Sequence, residues 1–141
     1  MKTGNKGEWS EFYTFLKLIA EKKLYGADEN LSKLENVVFP VIKIIRDESS
    51  SRKEYELLEG SKVKIHESET DSVVVNASDL KDKVKLIFEE IKTGSDSAFA
   101  IPMTEELMSR FKVSALNAGN SKKEDIILRI HDYKVGQNNN E

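Results

Sequence analysis

Residues 121–132, SKKEDIILRIHD, limit what this chain can fold into more than any other stretch. Ile126, Leu128 and Ile130 recur at every second position, and Ile127 adds an apolar side chain on the other face. The run therefore reads as a mostly buried strand. Asp125 and Asp132 stand at its two ends, with Lys122 and Lys123 just before it. An acid placed where a polar loop passes into a buried strand is held rigidly and still faces water. A carboxylate in that setting can ligate a hard cation such as Mg²⁺. The same acids also suit the ends of an ordinary strand beside turns, and spacing alone leaves both readings open.

A buried strand needs a core around it, and 141 residues, 38% of them hydrophobic, suffice for one. The expected organisation is a single domain over 1–141, or the N-terminal fragment of a longer protein, with a β-rich region at about 37–76. No apolar run approaches a membrane span, and no apolar stretch follows the charges at the start of the chain, so neither a membrane partner nor a signal peptide is expected. Without cysteine there is no disulfide frame and no thiolate zinc site. These features point to a cytoplasmic protein. The net charge of −3 argues against a small basic module that grips nucleic acid by charge alone. It leaves room for an enzyme whose acidic metal centre offsets basic patches elsewhere.

The first helix is expected to open around residues 7–11 and to run to about Leu24 or Tyr25, with Gly26 ending it in the left-handed conformation. Trp9, Phe12, Phe15, Leu16, Ile19 and Ala20 gather on one face at helical spacing. That face should pack on a sheet containing Ile126, Leu128 and Ile130. Glu8 projects into the apolar arc and Glu11 lies at its edge. In the first turn Glu8 suits a capping acid favoured by the helix dipole. Pointing along a core face, it would instead need a partner or a metal to offset its burial.

A short helical turn is expected to end near Asn36, followed by a strand over 41–47 with Pro40 just before it. Residues 54–58 and 62–66 read as a hairpin joined at Glu59, Gly60 and Ser61, and 73–75 as a further strand. Lys62, Lys64 and His66 share one face of that hairpin, a candidate contact for phosphate as well as an ordinary solvated face. Ser78 is the expected cap of a second helix over 79–93, and Thr104 of a third running to Phe111 or Lys112. Together these elements predict an α/β chain, with α+β as the alternative: a mixed β-sheet flanked by helices.

Neither standard glycine-rich phosphate loop is present, nor a helical histidine pair, nor a nucleophile elbow. An acidic centre remains: Glu8 with Asp125, joined by Glu11 or Asp132.

Residues 5–11 (NKGEWSE) and 23–31 (KLYGADENL) resemble the opening of the HpaII-type restriction endonucleases, and residues 42–48 and 121–132 are similar to later parts of that family. The resemblance implies a type II restriction enzyme that cuts duplex DNA at a short palindrome, CCGG for the namesake, with Mg²⁺. It also implies an incomplete PD-(D/E)XK-like nuclease core. In that core Glu8 or Glu11 is the first-helix glutamate and Asp125 the aspartate at the start of a strand. Asp125, Glu8 and Asp132 would hold the metal. A following strand with a catalytic lysine is expected after the end of this chain, so these residues alone should be inactive. Double-stranded DNA is the expected partner, and a homodimer is an assembly left open. The competing expectations are a non-catalytic DNA-binding or subunit-interaction module, and a truncated product without activity.

Overall fold

The computed structural model describes residues 2–27, 29–30, 32–48, 51–95, 97–116 and 123–128. A short strand, β1 (Thr3–Gly4), leads into α1 (Lys6–Glu21). Asn5 caps the helix: its side-chain oxygen accepts from the Glu8 backbone N–H at 2.9 Å, while Glu8 Oε1 accepts from the Asn5 N–H at 2.9 Å. This reciprocal pair satisfies two backbone donors that the first turn leaves without helical partners.

The helix ends earlier than its apolar periodicity predicts. Lys22 is left-handed (φ 61°) and its N–H closes on Leu18 O. The chain then enters β2 (Lys23–Ala27) rather than continuing as helix. Strand pairing prevails over helix propensity here because the reversal is pinned on both sides. Lys22 O accepts from the Val41 N–H at 2.8 Å, and Lys22 Nζ donates to Leu58 O at 2.5 Å.

β3 (Lys33–Glu48) absorbs both the expected helical turn and the expected strand into one element of 16 residues. Its first half pairs with β2. Its second half pairs with β4 (Ser51–Leu58) and with β8 (Lys123–Leu128). Pro40 lies inside β3, opposite Lys23 at the end of the β2 ladder, where the partners change and the missing N–H costs least. β5 (Lys62–His66) and β6 (Ser72–Asn76) continue the sheet as expected, with left-handed Gly60 and Ser61 in the β4–β5 turn. Every pairing among the described residues is antiparallel, so the expected mixed sheet is corrected to an antiparallel one with helices packed against it.

Trp9, Phe12, Phe15, Leu16 and Ile19 are all buried. Phe15 meets Tyr55 of β4 edge-on, with ring centroids 4.9 Å apart, so this face packs on the sheet as the periodicity predicts. Burying such side chains stabilises by roughly 1.5–3 kcal/mol each. Ile126 and Leu128 join that sheet through β8, opposite Ile44 and Val41, whereas Ile130 lies outside the described residues. On its other flank α1 packs on α2 (Leu80–Lys92), with Tyr13 and Phe88 rings 5.4 Å apart.

Asp79, not Ser78, caps α2, and it makes no side-chain capping bond because its carboxylate is taken by Arg110. β7 (Phe99–Ala100) pairs with β1, and α3 (Thr104–Arg110) follows. Thr104 is the first residue of α3 rather than its cap, and its hydroxyl donates back to Ile101 O at 2.6 Å.

Candidate functional site

Inward-facing side chains on the second half of β3 run Ile44, Arg46, Glu48, alternating as a strand requires. A register shift between Val41 and Lys43 explains why Val41 is buried as well. The apolar pattern thus continues into two charges that are almost wholly withdrawn from water, Arg46 at 1% exposure and Glu48 at 3%.

Such burial is tolerable only where each charge is met by others or by hydrogen bonds. Arg46 Nε donates to Glu48 Oε2 at 2.7 Å, Arg46 Nη2 donates to Ala115 O at 2.5 Å, and the guanidinium lies 5.1 Å from the Phe15 ring centroid. Glu48 Oε1 accepts from Ser114 Oγ at 2.5 Å, Ser114 N at 3.1 Å and Lys53 Nζ at 3.4 Å. Burial alone would raise the Glu48 pKa. The Ser114 hydroxyl, Arg46 and the Ser114 N–H outweigh it and hold the carboxyl down at about 2. Glu48 is therefore a carboxylate throughout the neutral range.

The same contacts strap the segment 111–116 onto the sheet. The Tyr55 hydroxyl donates to Phe111 O at 2.7 Å, and Lys2 Nζ donates to Ser114 O at 2.8 Å. Glu8 reaches this strap from the start of α1. A Cβ added to Gly4 would stand 2.7 Å from Leu116 Cδ1 and 3.2 Å from Glu8 Oε1, so the three crowd one spot. A side chain at position 4 would have to push the end of Leu116 aside.

Of the acids expected from the sequence, Glu8 is half-buried and serves as the capping acid. Glu11 is exposed. The backbone of Asp125 pairs with Ile45, and Lys123 at the start of β8 pairs with Asp47. The start of β8 therefore lies at the Glu48 end of β3. The carboxyl of Asp125 and the whole of Asp132 lie outside the described residues. Among the described residues no three acids or histidines converge on a metal position. The carboxylates of Glu8 and Glu48 are engaged by the fold, so these groups alone do not make a Mg²⁺ site.

Sequence reasoning missed Arg46, Glu48, Lys53 and Ser114. The available signal was the two-residue alternation from Ile44 to Arg46 and Glu48, which carries charges onto a buried face. On the hairpin face named as a phosphate contact or a solvated face, Glu56 of β4 stands beside two of the three basic residues. His66 Nε2 lies 3.0 Å from Glu56 Oε1, Lys64 is the register partner of Glu56, and neighbouring Lys43 pairs with Glu54 at 3.0 Å.

Comparison with known proteins adds what the geometry leaves open. A family model described as HpaII restriction endonuclease matches residues 5–141. Type II restriction enzyme HpaII of Haemophilus parainfluenzae is 35% identical over 135 residues, covering 95% of this chain and 37% of that protein. The chain thus spans well under half the length of that relative. No solved structure gives a significant match.

Proposed function

The chain belongs to the HpaII restriction endonuclease family, and on that premise we propose that it forms part of a type II restriction endonuclease. The whole protein would cut duplex DNA at a short palindrome, CCGG by family likeness, through Mg²⁺-dependent phosphodiester hydrolysis. A homodimer matches the symmetry of a palindrome, and the cytoplasm is where such an enzyme meets DNA. The core would be of the PD-(D/E)XK kind. One observation carries the reading: the family match spans residues 5–141, a range that includes both Glu8 and Asp125.

Asp125 is the proposed principal metal ligand, with Glu8 and Asp132 completing the set and Glu11 as the alternative helix acid. A bound divalent ion polarises a phosphoryl oxygen and acidifies a water. The chain's own residues set the stage for that chemistry. Arg46, Lys53 and Ser114 hold Glu48 and fix the segment 111–116, and the pairing with β3 positions the start of β8. The 141 residues span 37% of the relative, so cleavage is proposed for the whole protein and negligible cleavage for this portion alone.

A second reading, a DNA-binding or subunit-interaction module without catalysis, draws on the engagement of Glu8 and Glu48 in structural bonds. Cleavage of unmethylated plasmid by the whole protein, with Mg²⁺ and with EDTA, separates the two. Asp125→Ala should abolish cutting while the protein stays folded, and Glu8→Gln should slow it. Undiminished cutting by Asp125→Ala would refute the site. Sequence-specific binding with no cutting in any metal would favour the module.

A further inference from the structure

Beside the seam of α1 and α2, away from the Glu48 strap, a cavity of about 480 Å³ opens where four elements converge. Lys17 of α1, Lys23 of β2, Lys33 of β3, and Lys81 and Lys85 of α2 line it, with Glu21 the one acid among the described lining residues. All five lysines are exposed, and none takes part in the ion pairs found among the described residues. Tyr25 stands among them, its ring centroid 3.8 Å from Lys33 Nζ and 5.3 Å from Lys23 Nζ.

Several other surface cations are paired. Lys43, Arg52, Lys83, Lys92 and Arg110 each meet a carboxylate. In a chain of net charge −3, five lysines gather in one concavity, and their described partners there are the Tyr13 and Tyr25 rings and Glu21. Like charges held together repel, so such a gathering costs stability unless an anion fills it. The cavity is wider than one phosphate needs, and its lysines come from both helices and from the β2–β3 ribbon. That spread fits successive phosphates along a strand better than one small anion.

We infer that this lysine groove is a docking surface for the DNA sugar-phosphate backbone. The inference rests on the DNA-cutting reading above and adds where the duplex backbone is gripped. Its contacts are with phosphates, so they position the duplex and carry no sequence information. Each lysine–phosphate contact releases counterions and contributes about 0.9 to the slope of log affinity against log salt.

The test is duplex oligonucleotide binding by the 141-residue chain across a salt series. Wild type is compared with Lys17→Gln/Lys81→Gln/Lys85→Gln and with Lys6→Gln/Lys92→Gln/Lys112→Gln, which removes the same charge elsewhere. Circular dichroism confirms that each variant is folded. The groove variant should bind about tenfold or more weakly at moderate salt, equally for cognate and unrelated duplexes, with a slope shallower by about 1–3. The second variant should stay close to wild type. Equal losses in the two variants, or an unchanged slope in the groove variant, would overturn the groove and leave the DNA reading standing. A wild-type chain that binds no duplex would likewise overturn the groove, while the DNA-cutting reading stands or falls on the plasmid assay of the whole protein.

Discussion

Arg46, Glu48 and Lys53 on the sheet, and the five lysines beside Tyr25, are both dense in charge, yet they are built in opposite ways. In the first, charge is removed from water and each group is met by a partner at hydrogen-bonding distance. In the second, charge mostly of one sign is left at the surface, with Glu21 the acid among its described lining residues. A buried network of mixed sign is answerable to the fold, because breaking it leaves an uncompensated charge in a dry interior. An exposed cluster of one sign is answerable to a ligand, because water already solvates it and the fold gains nothing from it. Charge by itself does not mark a functional residue; the state of its partners does.

The comparison breaks most visibly at Glu48. Glu48→Ala would take the Glu48 carboxylate from the Arg46 guanidinium, which is buried at 1% exposure, and would release Ser114. A loss of about 3–5 kcal/mol is expected, read as a lower urea midpoint. A loss under about 1 kcal/mol would show that water reaches these charges and that they are not the fold's anchor.

The next effect is on pH. The folded pKa of Glu48, about 2, lies below its ordinary value of 4.5, so folding favours its ionised form. That contribution is fully present above about pH 4.5. It is lost as pH falls through the folded value of about 2. Its size should be on the order of 3 kcal/mol. Denaturation at a series of pH values from 7 downwards should show stability falling in this window, and Glu48→Gln should flatten the fall. A wild-type curve that is level down to pH 2 would contradict the network.

These same residues mark where sequence reading stopped. Helix α1, the β4–β5 hairpin and the strand of residues 123–128 were legible because their apolar side chains recur at the period of the element. The end of α1 was not, because Lys22 is turned by bonds to Leu58 and Val41, which are distant in sequence. β3 was split by Pro40, whose usual meaning holds for a strand with neighbours on both edges and not at a change of partners. Glu48 was hidden for a similar reason. Its partner Ser114 lies 66 residues away, and nothing local separates a buried glutamate from an exposed one at a strand end. Asp125 was read as the entrance of its strand, but β8 begins two residues earlier at Lys123, because the ladder with β3 extends to Asp47, and Asp125 lies within the strand opposite Ile45. Its task in metal binding remains a proposal for the mutant assay.

A smaller effect lies at Arg110, between the two extremes. It donates to both oxygens of Asp79 at 2.7 and 2.9 Å and to Glu106 at 2.8 and 2.6 Å, joining α2 to α3. The guanidinium beside them holds both carboxyls below the usual range. The paired acids are open to water, so screening limits the gain despite good geometry. Arg110→Ala should cost about 1 kcal/mol, and the loss should shrink in high salt. A salt-independent loss as large as that of Glu48→Ala would erase the distinction between buried and exposed charge.

The smallest expected change has the opposite sign. Lys17, Lys81 and Lys85 are exposed, and the charge they add to the groove is of one sign save for Glu21. Removing three like charges relieves repulsion, offset only by the loose contact of Lys17 with the Tyr13 ring, and surface substitutions of this kind stay within about 0.5 kcal/mol. The triple glutamine variant should therefore melt at the wild-type temperature or slightly above it at low salt, and the gain should vanish near 1 M salt, where screening acts within about 3 Å. Adding duplex DNA should reverse the order, because a ligand bound only by the folded state stabilises it in proportion to its affinity, and wild type binds the more tightly. A variant that melts well below wild type without DNA would mean that the lysines serve the fold, and the contrast with the Glu48 network would fall.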